Sequence, residues 1–388
     1  MRILIVHNLL WAHYKSAVFQ ALQQLVDQQP NVSMLVLQIA RNERSRAGLE
    51  TEDSESTPTY SYNYKLLFDR YLEEVSLFER IRALYLHAKA YRPDVINLTG
   101  YYDPAQLLLL FWAKVNGIRV IMQNESTAAD HERGGWKERF KRIIFKQCDG
   151  FFCFGSLSAR YVTEFGVSPD KVLLKKNAVD NPTLQTVYEK AIQQRTDQQQ
   201  QLGLRPHNFI FVGRLIEFKN LPVLITAFGE ALSQSHNGNQ WGLVLLGDGI
   251  EHDSLVDQVT SLELTDPVKF LPGRPWFKVP ELLALSDVLV LPSRSEPWGL
   301  VVNEAMACGL PVIVSNRCGC VADLVRDGQN GFIFDPNHSI QLIKRLVEFM
   351  DNNVDMRQMS TAAKQLIAPY SPGAVAREML QGFSKITT

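Results

Sequence analysis

The chain has 388 residues, of which 46% are hydrophobic and 21% charged, and this size exceeds what one hydrophobic core usually supports, so two domains are expected. Its formal net charge of −1 provides no basic field that would gather nucleic acid, which argues against nucleic-acid partners. The five cysteines form no CxxC pair, so neither a disulfide framework nor a zinc site is expected.

In the first half of the chain, short β-branched runs alternate with segments of helical period. This alternation is typical of a parallel sheet wound by helices and predicts one Rossmann-like domain over residues 1–182. Strands are predicted for RILIVH, SMLVLQI, DVINLT, RVIMQ, GFFCFG and VLLKK. Helices are predicted for residues 15–27, 78–91, 104–115, 135–147 and 156–165.

The helix predicted for 135–147 is both basic and apolar. Trp136, Phe140, Ile143 and Ile144 share one face, and lysines and arginines occupy most of the rest. An ordinary packed helix with a charged outer face is the first interpretation, and peripheral contact with an anionic membrane is the second. The N-terminal run MRILIVHNLLW is too short for a secretory signal, so a cytoplasmic location is expected.

Residues 183–204 are rich in glutamine and nearly all polar, which predicts a linker. A second alternating series over 205–370 predicts another Rossmann-like domain. Its strands are FIFVG, LVLLG, KFLP, VLVLPS, PVIVS and GFIF, and its helices lie near 220–232, 251–262, 279–286, 300–308, 320–326 and 339–350. The last segment, 371–388, predicts an amphipathic helix that returns to the first domain, with Val375, Met379 and Phe383 on one face.

The stretch EPWGLVVNEAMACG combines two carboxylates with a predicted helix start. Glu296 is expected on the loop at the carboxyl edge of the sheet, and Glu304 inside the helix. The amides from Trp298 to Val301 form a helix N-terminus, which suits a phosphate group. A carboxylate pair also equips a glycosidase, and a solvated Glu304 with a dipole-favoured Glu296 is the simplest alternative.

A second candidate is FVGRLIEFKN, where Arg214 and Lys219 follow a strand that ends at Gly213. Cations at this edge suit an anionic ligand, although ordinary surface charge explains either residue singly. Gly247 and Gly249 indicate a tight turn more than a dinucleotide site. The chain contains no GxxxxGK[ST], GxSxG, HExxH or DxD motif, which argues against P-loop, hydrolase, zincin and metal-bound nucleotide-sugar chemistry.

Together these residues resemble family 4 of the glycosyltransferases with the GT-B fold. EPWGLVVNEAMACGLPVI matches the E-x7-E motif of that family, VGRL followed by KN matches its diphosphate loop, and NAVD at 177–180 matches the end of its first domain. The resemblance implies two Rossmann-like domains that face a cleft. It also implies a retaining reaction on a nucleotide-sugar donor, with no metal and no cofactor.

The resemblance also implies roles for residues at matching positions. Arg214 and Lys219 would neutralise the donor diphosphate and, with Glu296, carry the catalysis. Glu296 would bind sugar hydroxyls, and Glu304 the ribose. The implied donor site comprises Gly213, Arg214, Lys219, Gly247, Asp248, Gly273, Arg274, Glu296, Trp298, Gly299, Leu300, Val301 and Glu304.

The chain departs from the family in the acceptor half. Many members have a glycine-rich loop where this chain has HNLLWAHYKS, and a histidine where it has Asn124 and Glu125. A catalytic base at Glu125 is a hypothesis based on position alone. The acceptor candidates are His13, Tyr14, Lys15, Asn124, Glu125 and Ser126.

The expected reaction moves a hexose or N-acetylhexosamine from a nucleotide-diphosphate sugar to a hydroxyl of a glycan, a lipid-linked sugar or a small metabolite. One alternative is an epimerase or a phosphorylase of the same superfamily, the latter with pyridoxal phosphate. Another is a non-catalytic nucleotide-sugar binding protein, against which the presence of Arg214, Lys219, Glu296 and Glu304 argues. The pattern specifies no oligomeric state.

Overall fold

The computed structural model describes residues 1–44, 60–127 and 136–387. The chain divides into two compact units, the first formed by Met1–Val179 with Tyr370–Thr388, and the second by Asp180–Pro369. In each unit the sheet is parallel and carries helices. The predicted α/β class with two doubly wound sheets is therefore confirmed.

The first unit is built on seven strands. These are β1 Arg2–Leu9, β2 Ser33–Asn42, β3 Tyr64–Tyr71, β4 Val95–Leu98, β5 Arg119–Asn124, β6 Gly150–Cys153 and β7 Val172–Lys175. The helices are α1 His13–Asp27, α2 Leu77–Tyr91, α3 Pro104–Val115, α4 Trp136–Gln147 and α5 Ser156–Glu164. The sheet order is β3-β2-β1-β4-β5-β6-β7. β3 was not predicted, because this edge strand mixes polar and apolar residues and buries none of them fully.

One face of this sheet is covered by α1 together with the C-terminal helix, α15 Pro372–Thr387. Val375, Met379 and Phe383 of α15 are buried, and the Phe383 ring meets that of Phe152 edge to face at 5.3 Å. The C-terminal helix therefore returns to the first unit, as the amphipathic pattern predicts.

Helix α4 is turned differently from the prediction. Ile144 and Phe145 are buried, whereas Phe140 and Ile143 are 45% and 53% exposed. Phe145 sets this orientation, because its ring packs edge to face at 5.3 Å on Phe151 of the neighbouring strand. Two of the four residues predicted to share an apolar face therefore contact solvent.

The second unit contains six strands, β8 His207–Val212, β9 Trp241–Leu246, β10 Val268–Leu271, β11 Val288–Leu291, β12 Val312–Ser315 and β13 Gly331–Phe334. Its helices are α6 Asn181–Ala191, α7 Arg195–Gln201, α8 Leu221–Gln234, α9 His252–Ser261, α10 Val279–Leu283, α11 Leu300–Ala307, α12 Val321–Leu324, α13 Ser339–Met350 and α14 Met356–Ile367. The strand order is β10-β9-β8-β11-β12-β13. β9 and β10 are added on one side of β8 and β11 to β13 on the other, so the order of addition switches between β8 and β11. Ligands of doubly wound sheets bind at this switch point.

The glutamine-rich segment predicted as a linker forms α6 and α7 and belongs to the second unit. Arg195 pairs with Asp287 at 2.7 Å, and the amide of the buried Gln199 donates to the Leu285 carbonyl at 2.9 Å. Polar side chains hold the segment in place through hydrogen bonds. An apolar pattern could not reveal this kind of attachment.

Candidate functional site

The loops that follow β8 and β11 meet at the switch point of the second sheet. The ammonium of Lys219 forms an ion pair with the carboxylate of Glu296, and both side chains are more than four-fifths buried. The backbone N–H of Arg294 donates to the carbonyl of Phe218 at 2.8 Å, which joins the two loops a second time. Two residues 77 positions apart in the chain are thus held as one charged pair.

Arg214 and Arg274 follow β8 and β10, and both side chains are exposed. Neither forms an ion pair with any other described residue. A guanidinium that is exposed and not engaged by a carboxylate remains available for phosphate oxygens, which it can grip through two bonds. Arg214 therefore combines the position and the freedom that a diphosphate-binding residue needs.

The turn after β9 packs backbone against backbone on the turn after β8. Gly247 has a φ of +150°, and a Cβ at this residue would lie 1.9 Å from the carbonyl oxygen of Gly213. Asp248 then accepts a hydrogen bond from the N–H of Gly273 at 2.9 Å. The glycines and Asp248 thus shape the backbone around the site.

Helix α11 begins beside Glu296. Gly299 takes the left-handed conformation, with a φ of +97°, and its carbonyl accepts from the N–H of Val302 at 2.9 Å. The N–H groups of Leu300 and Val301 belong to the first turn, where a helix leaves donors for a ligand. Trp298 is buried, and its indole donates to Asn303 at 2.8 Å, so this side chain supports the turn from behind.

Glu304 lies one helical turn along α11. Burial raises the pKa of its carboxyl group to about 7, and no cation offsets the effect. Burial therefore favours the protonated form of Glu304 more than solvent would before any ligand binds.

A further segment holds the Glu296 loop, and the sequence patterns missed it. The N–H of Gly319 donates to the Glu296 carbonyl at 2.8 Å, and the N–H of Cys320 donates to the Trp298 carbonyl at 3.0 Å. A Cβ at Gly319 would lie 1.9 Å from the carbonyl oxygen of Pro297. The signal in the sequence was a glycine between two cysteines, Cys318 and Cys320, shortly after a buried strand.

In the first unit, a cavity of about 260 Å³ lies at the carboxyl ends of β1, β4 and β5. Four of the acceptor candidates, Tyr14, Asn124, Glu125 and Ser126, line it. The side chain of His13 lies outside the described part of the structure.

Lys15 does not line this cavity. Its side chain is buried, and its ammonium lies 3.4 Å from the ring centroid of Phe154. Burial lowers the pKa of Lys15 to about 8, against the opposing attraction of Glu125. Lys15 is therefore a buried cation stabilised by an aromatic face.

Several other residues of the cavity were not predicted. Tyr101, Tyr102 and Asp103 follow β4 directly, and Gln123 is the penultimate residue of β5. The segment NLTGYYDP carries polar and aromatic side chains at the end of a predicted strand. The rule that ligands bind at strand ends would have identified these residues.

Two general properties of the described ranges bear on the chemistry. No three histidine, cysteine, aspartate or glutamate side chains among these residues gather into a group that could hold a metal ion. In the same parts of the chain, every helix is too short or too polar to cross a bilayer.

Comparison with known proteins identifies a family model and several relatives that match part of the chain. Residues 193–366 match the family model of glycosyl transferases group 1. The D-inositol 3-phosphate glycosyltransferase of Corynebacterium diphtheriae is 29% identical over 56% of this chain and 51% of its own length. The N-acetyl-alpha-D-glucosaminyl L-malate synthase of Bacillus anthracis is 28% identical over 41% of this chain and 40% of its own. Among solved structures, Anabaena HepE in complex with UDP has a TM-score of 0.74 at 18% identity, covering 99% of this chain and 100% of that one.

The chain spans about half the length of the curated relatives it matches. The likeness to HepE covers both units and shows the fold. The matched segment contains Arg214, Lys219, Glu296 and Glu304. Residues 193–366 therefore match the glycosyl transferases group 1 family, within a chain that has the GT-B fold.

Proposed function

We propose that the protein is a retaining, metal-independent glycosyltransferase that moves a hexose or N-acetylhexosamine from a nucleotide-diphosphate sugar to a hydroxyl group. The observation that carries the proposal is the cluster formed by the Lys219–Glu296 ion pair beside the start of α11, at the sheet edge where Arg214 also follows a strand. This cluster lies at the switch point of the second sheet, and nucleotide-sugar donors are what the resemblance to the glycosyltransferases implies. HepE was solved with UDP, which favours a uridine donor here.

Charge explains how this cluster would work. Breaking the bond between the anomeric carbon and phosphate leaves extra negative charge on the diphosphate. Arg214, Lys219 and the first amides of α11 would stabilise that charge, and preorganised donors of this kind often supply the largest part of catalysis. Glu296 orients the Lys219 ammonium before a donor arrives.

Retention would follow if the acceptor hydroxyl attacks from the face that the leaving group departs from. The new bond joins the acceptor oxygen to the anomeric carbon, the bond from that carbon to the diphosphate oxygen breaks, and the hydroxyl proton passes to the departing phosphate. This route needs no protein nucleophile and no metal. Glu296 would bind the sugar hydroxyls during the transfer.

The proposal is tested with a thermal-shift panel of UDP-, GDP- and ADP-sugars, followed by transfer and donor-hydrolysis assays. A cognate donor at a hundredfold its Kd should add about 2.7 kcal/mol to the free energy of unfolding. We expect UDP-sugars to raise the melting temperature and to be slowly hydrolysed without acceptor. If no nucleotide sugar shifts the transition, the proposed function is wrong.

The same assays separate the alternatives. A phosphorylase would absorb visible light through its pyridoxal phosphate, and an epimerase would convert one nucleotide sugar into another. A binding protein would be stabilised by donor yet show neither transfer nor hydrolysis. Arg214 would serve the diphosphate in either case, so turnover is what separates the transferase from a protein that only binds the donor.

Glu304 gives the donor affinity an expected pH dependence. Ribose hydroxyls that donate to its carboxylate favour the charged form, so the pKa of Glu304 falls from about 7 when the donor binds. The free protein then carries more protons than the complex below pH 7, and the affinity should rise with pH and level off above about 7. Calorimetric titration with a UDP-sugar, which does not itself ionise in this range, measures the effect.

Glu304→Gln is the matched variant for that titration. It keeps the shape of the side chain and removes the ionisation, so its donor affinity should not vary between pH 5.5 and pH 8. A wild-type affinity that stays constant over this range would show that the Glu304 carboxylate does not bind the ribose.

We also propose that α4 contacts an anionic membrane surface. Phe140 and Ile143 expose apolar rings and methyl groups on the same side as Arg139, Arg142 and Lys146. Each cation near such a surface contributes about 1 kcal/mol, and the apolar side chains add partitioning into the headgroup region.

Sedimentation with vesicles tests this contact. The protein should bind phosphatidylglycerol vesicles, more weakly at high salt, and should not bind pure phosphatidylcholine. Replacing Phe140 and Ile143 with serine should abolish binding, whereas Ile340→Ser, an exposed site in the second unit, should not. Equal binding to both kinds of vesicle, or no loss in the double variant, would refute the contact.

A further inference from the structure

The large apolar side chains that contact solvent in the first unit are concentrated on one side of its sheet. Nine of the ten that the structure describes there lie on α2, α3 and α4, and the tenth, Tyr102, lies just before α3. The described residues of α1 and α15, which cover the other face of the sheet, contribute none. Single exposed apolar residues are normal, but a concentration on one layer indicates an interaction surface.

The three helices form one continuous layer. α3 contacts both α2 and α4, and the rings of Tyr85 on α2 and Trp112 on α3 meet edge to face at 5.7 Å. Their inner faces bury Leu84, Leu110 and Phe145 in the same hydrophobic core. Their outer faces therefore belong to one surface, with α3 at its centre.

The outer face of α3 is an apolar stripe. Leu108, Phe111 and Val115 are 52%, 39% and 88% exposed, and their spacing of three and four residues places them on one side of the helix. Lys114 is the single charged residue of α3, and it is paired with Asp149 at 2.8 Å. The stripe is therefore uncharged, and it is the part of the surface that most favours an apolar partner.

The charge around the stripe favours an anionic partner. α2, α3 and α4 together contain nine lysines and arginines but two acidic residues, in a chain whose formal net charge is −1. Both acidic residues, Glu79 and Glu138, are paired with arginines. The exposed cations lie on the two flanking helices, at Arg82 and Lys89 of α2 and at Arg139, Arg142 and Lys146 of α4. Positive charge therefore lies on both sides of the apolar stripe.

This arrangement fits the surface of an anionic bilayer. The apolar side chains of interfacial helices enter the boundary of the acyl chains, while lysines and arginines meet the headgroups. The Lys89 ammonium lies 5.6 Å from the centroid of the exposed Tyr85 ring, so a cation and an amphipathic ring occur side by side. A second copy of the chain would bring the same positive charge to this surface, and like charges oppose that contact.

We propose that the outer faces of α2, α3 and α4 form one docking surface for an anionic lipid bilayer, with Leu108, Phe111 and Val115 inserted at its centre. This inference rests in part on the contact proposed for α4 and goes beyond it, because α4 becomes one edge of a surface centred on α3. The sheet face that carries these helices then faces the lipid. The inference does not depend on the transferase reaction.

A fluorescent label in the stripe tests the insertion. Val115→Cys is labelled with an environment-sensitive dye, and because the five native cysteines are buried, the label goes to the introduced thiol. On mixed vesicles of phosphatidylglycerol and phosphatidylcholine the emission should shift to the blue and be quenched by brominated acyl chains. On pure phosphatidylcholine it should not change. The same label at Ile340→Cys, an exposed site in the second unit, should keep its aqueous emission.

Sedimentation with the mixed vesicles tests the contribution of α3 to the binding energy. Leu108→Ser with Phe111→Ser should weaken partitioning by at least about tenfold. Leu202→Ser with Leu262→Ser, a matched pair of exposed apolar residues in the second unit, should have no effect. A thermal melt checks that both double variants stay folded.

The flanking charge on α2 is tested in the same assay. Arg82→Gln with Lys89→Gln should weaken partitioning by about tenfold or more, and the loss should shrink at high salt. A label at residue 115 that stays in water while the protein sediments with vesicles would overturn the inference, and so would unchanged partitioning in the α3 double variant. In either case α4 alone would make the contact.

The vesicle assays contain no nucleotide, so they are independent of the donor assays. Docking through α3 in a chain that transfers no sugar would refute only the transferase. Transfer by a chain that does not dock would refute only the docking surface.

Discussion

Arg214→Ala should slow transfer by about 10²- to 10³-fold while the affinity for uridine changes less than about twofold. The Arg214 side chain is exposed, forms no ion pair with a described residue, and follows β8 at the switch point. Its proposed partner is the charge that develops on the leaving diphosphate, which the bare nucleoside lacks. Steady-state kinetics give the first quantity, and calorimetric titration with uridine and UDP gives the second.

Two further variants sharpen the measurement. Arg214→Lys keeps the charge but loses the two-point grip on phosphate, so its activity should fall between those of wild type and Arg214→Ala. Arg357→Ala, an exposed arginine on α14, should leave transfer unchanged. Equal losses in kcat/KM and in uridine affinity for Arg214→Ala would mean uniform binding and would contradict leaving-group stabilisation.

The elements that the sequence predicted best are the buried strands. Runs such as VLVLPS and GFIF are continuous apolar segments between turns, because both faces of a parallel sheet are covered. The edge strand β3 was missed because it has one covered side and a mixed composition. The predicted orientation of α4 was wrong because either Phe140 or Phe145 could face the core. Phe145 does so because its ring packs on Phe151, which the sequence alone does not show.

Some features of the candidate site could likewise be predicted from the sequence, and others could not. That Arg214, Lys219 and Glu296 lie at one sheet edge follows from strand ends and could be predicted. That Lys219 pairs with Glu296 depends on β8 and β11 being neighbours, which requires the strand order. The cavity of the first unit was predicted at Tyr14, Asn124, Glu125 and Ser126, whereas Tyr101, Tyr102, Asp103 and Gln123 were missed although they lie at strand ends.

Gly319→Ala should cost at least about 10²-fold in kcat/KM, although Gly319 carries no functional group. The added Cβ would lie 1.9 Å from the Pro297 carbonyl oxygen and 3.3 Å from the Trp298 Cα. Both neighbours are backbone, so the loop of Glu296 must move and carry its carboxylate away from Lys219. The hydrogen bond from the Gly319 N–H to the Glu296 carbonyl would lengthen at the same time.

If Gly319 positions Glu296, its replacement should change the kinetics even while the protein stays folded. A change that only lowered the stability of the fold would not do so. At a temperature far below unfolding, Gly319→Ala should still show a raised KM for the donor and a reduced kcat. Gly373→Ala, where a Cβ meets only the tip of Arg377 at 3.8 Å, should match wild type in both. If Gly319→Ala lowers the melting temperature yet keeps wild-type kinetics in the cold, the clash is absorbed within its own loop. The contact between Gly319 and the Glu296 loop would then not be needed to position the Glu296 carboxylate beside Lys219.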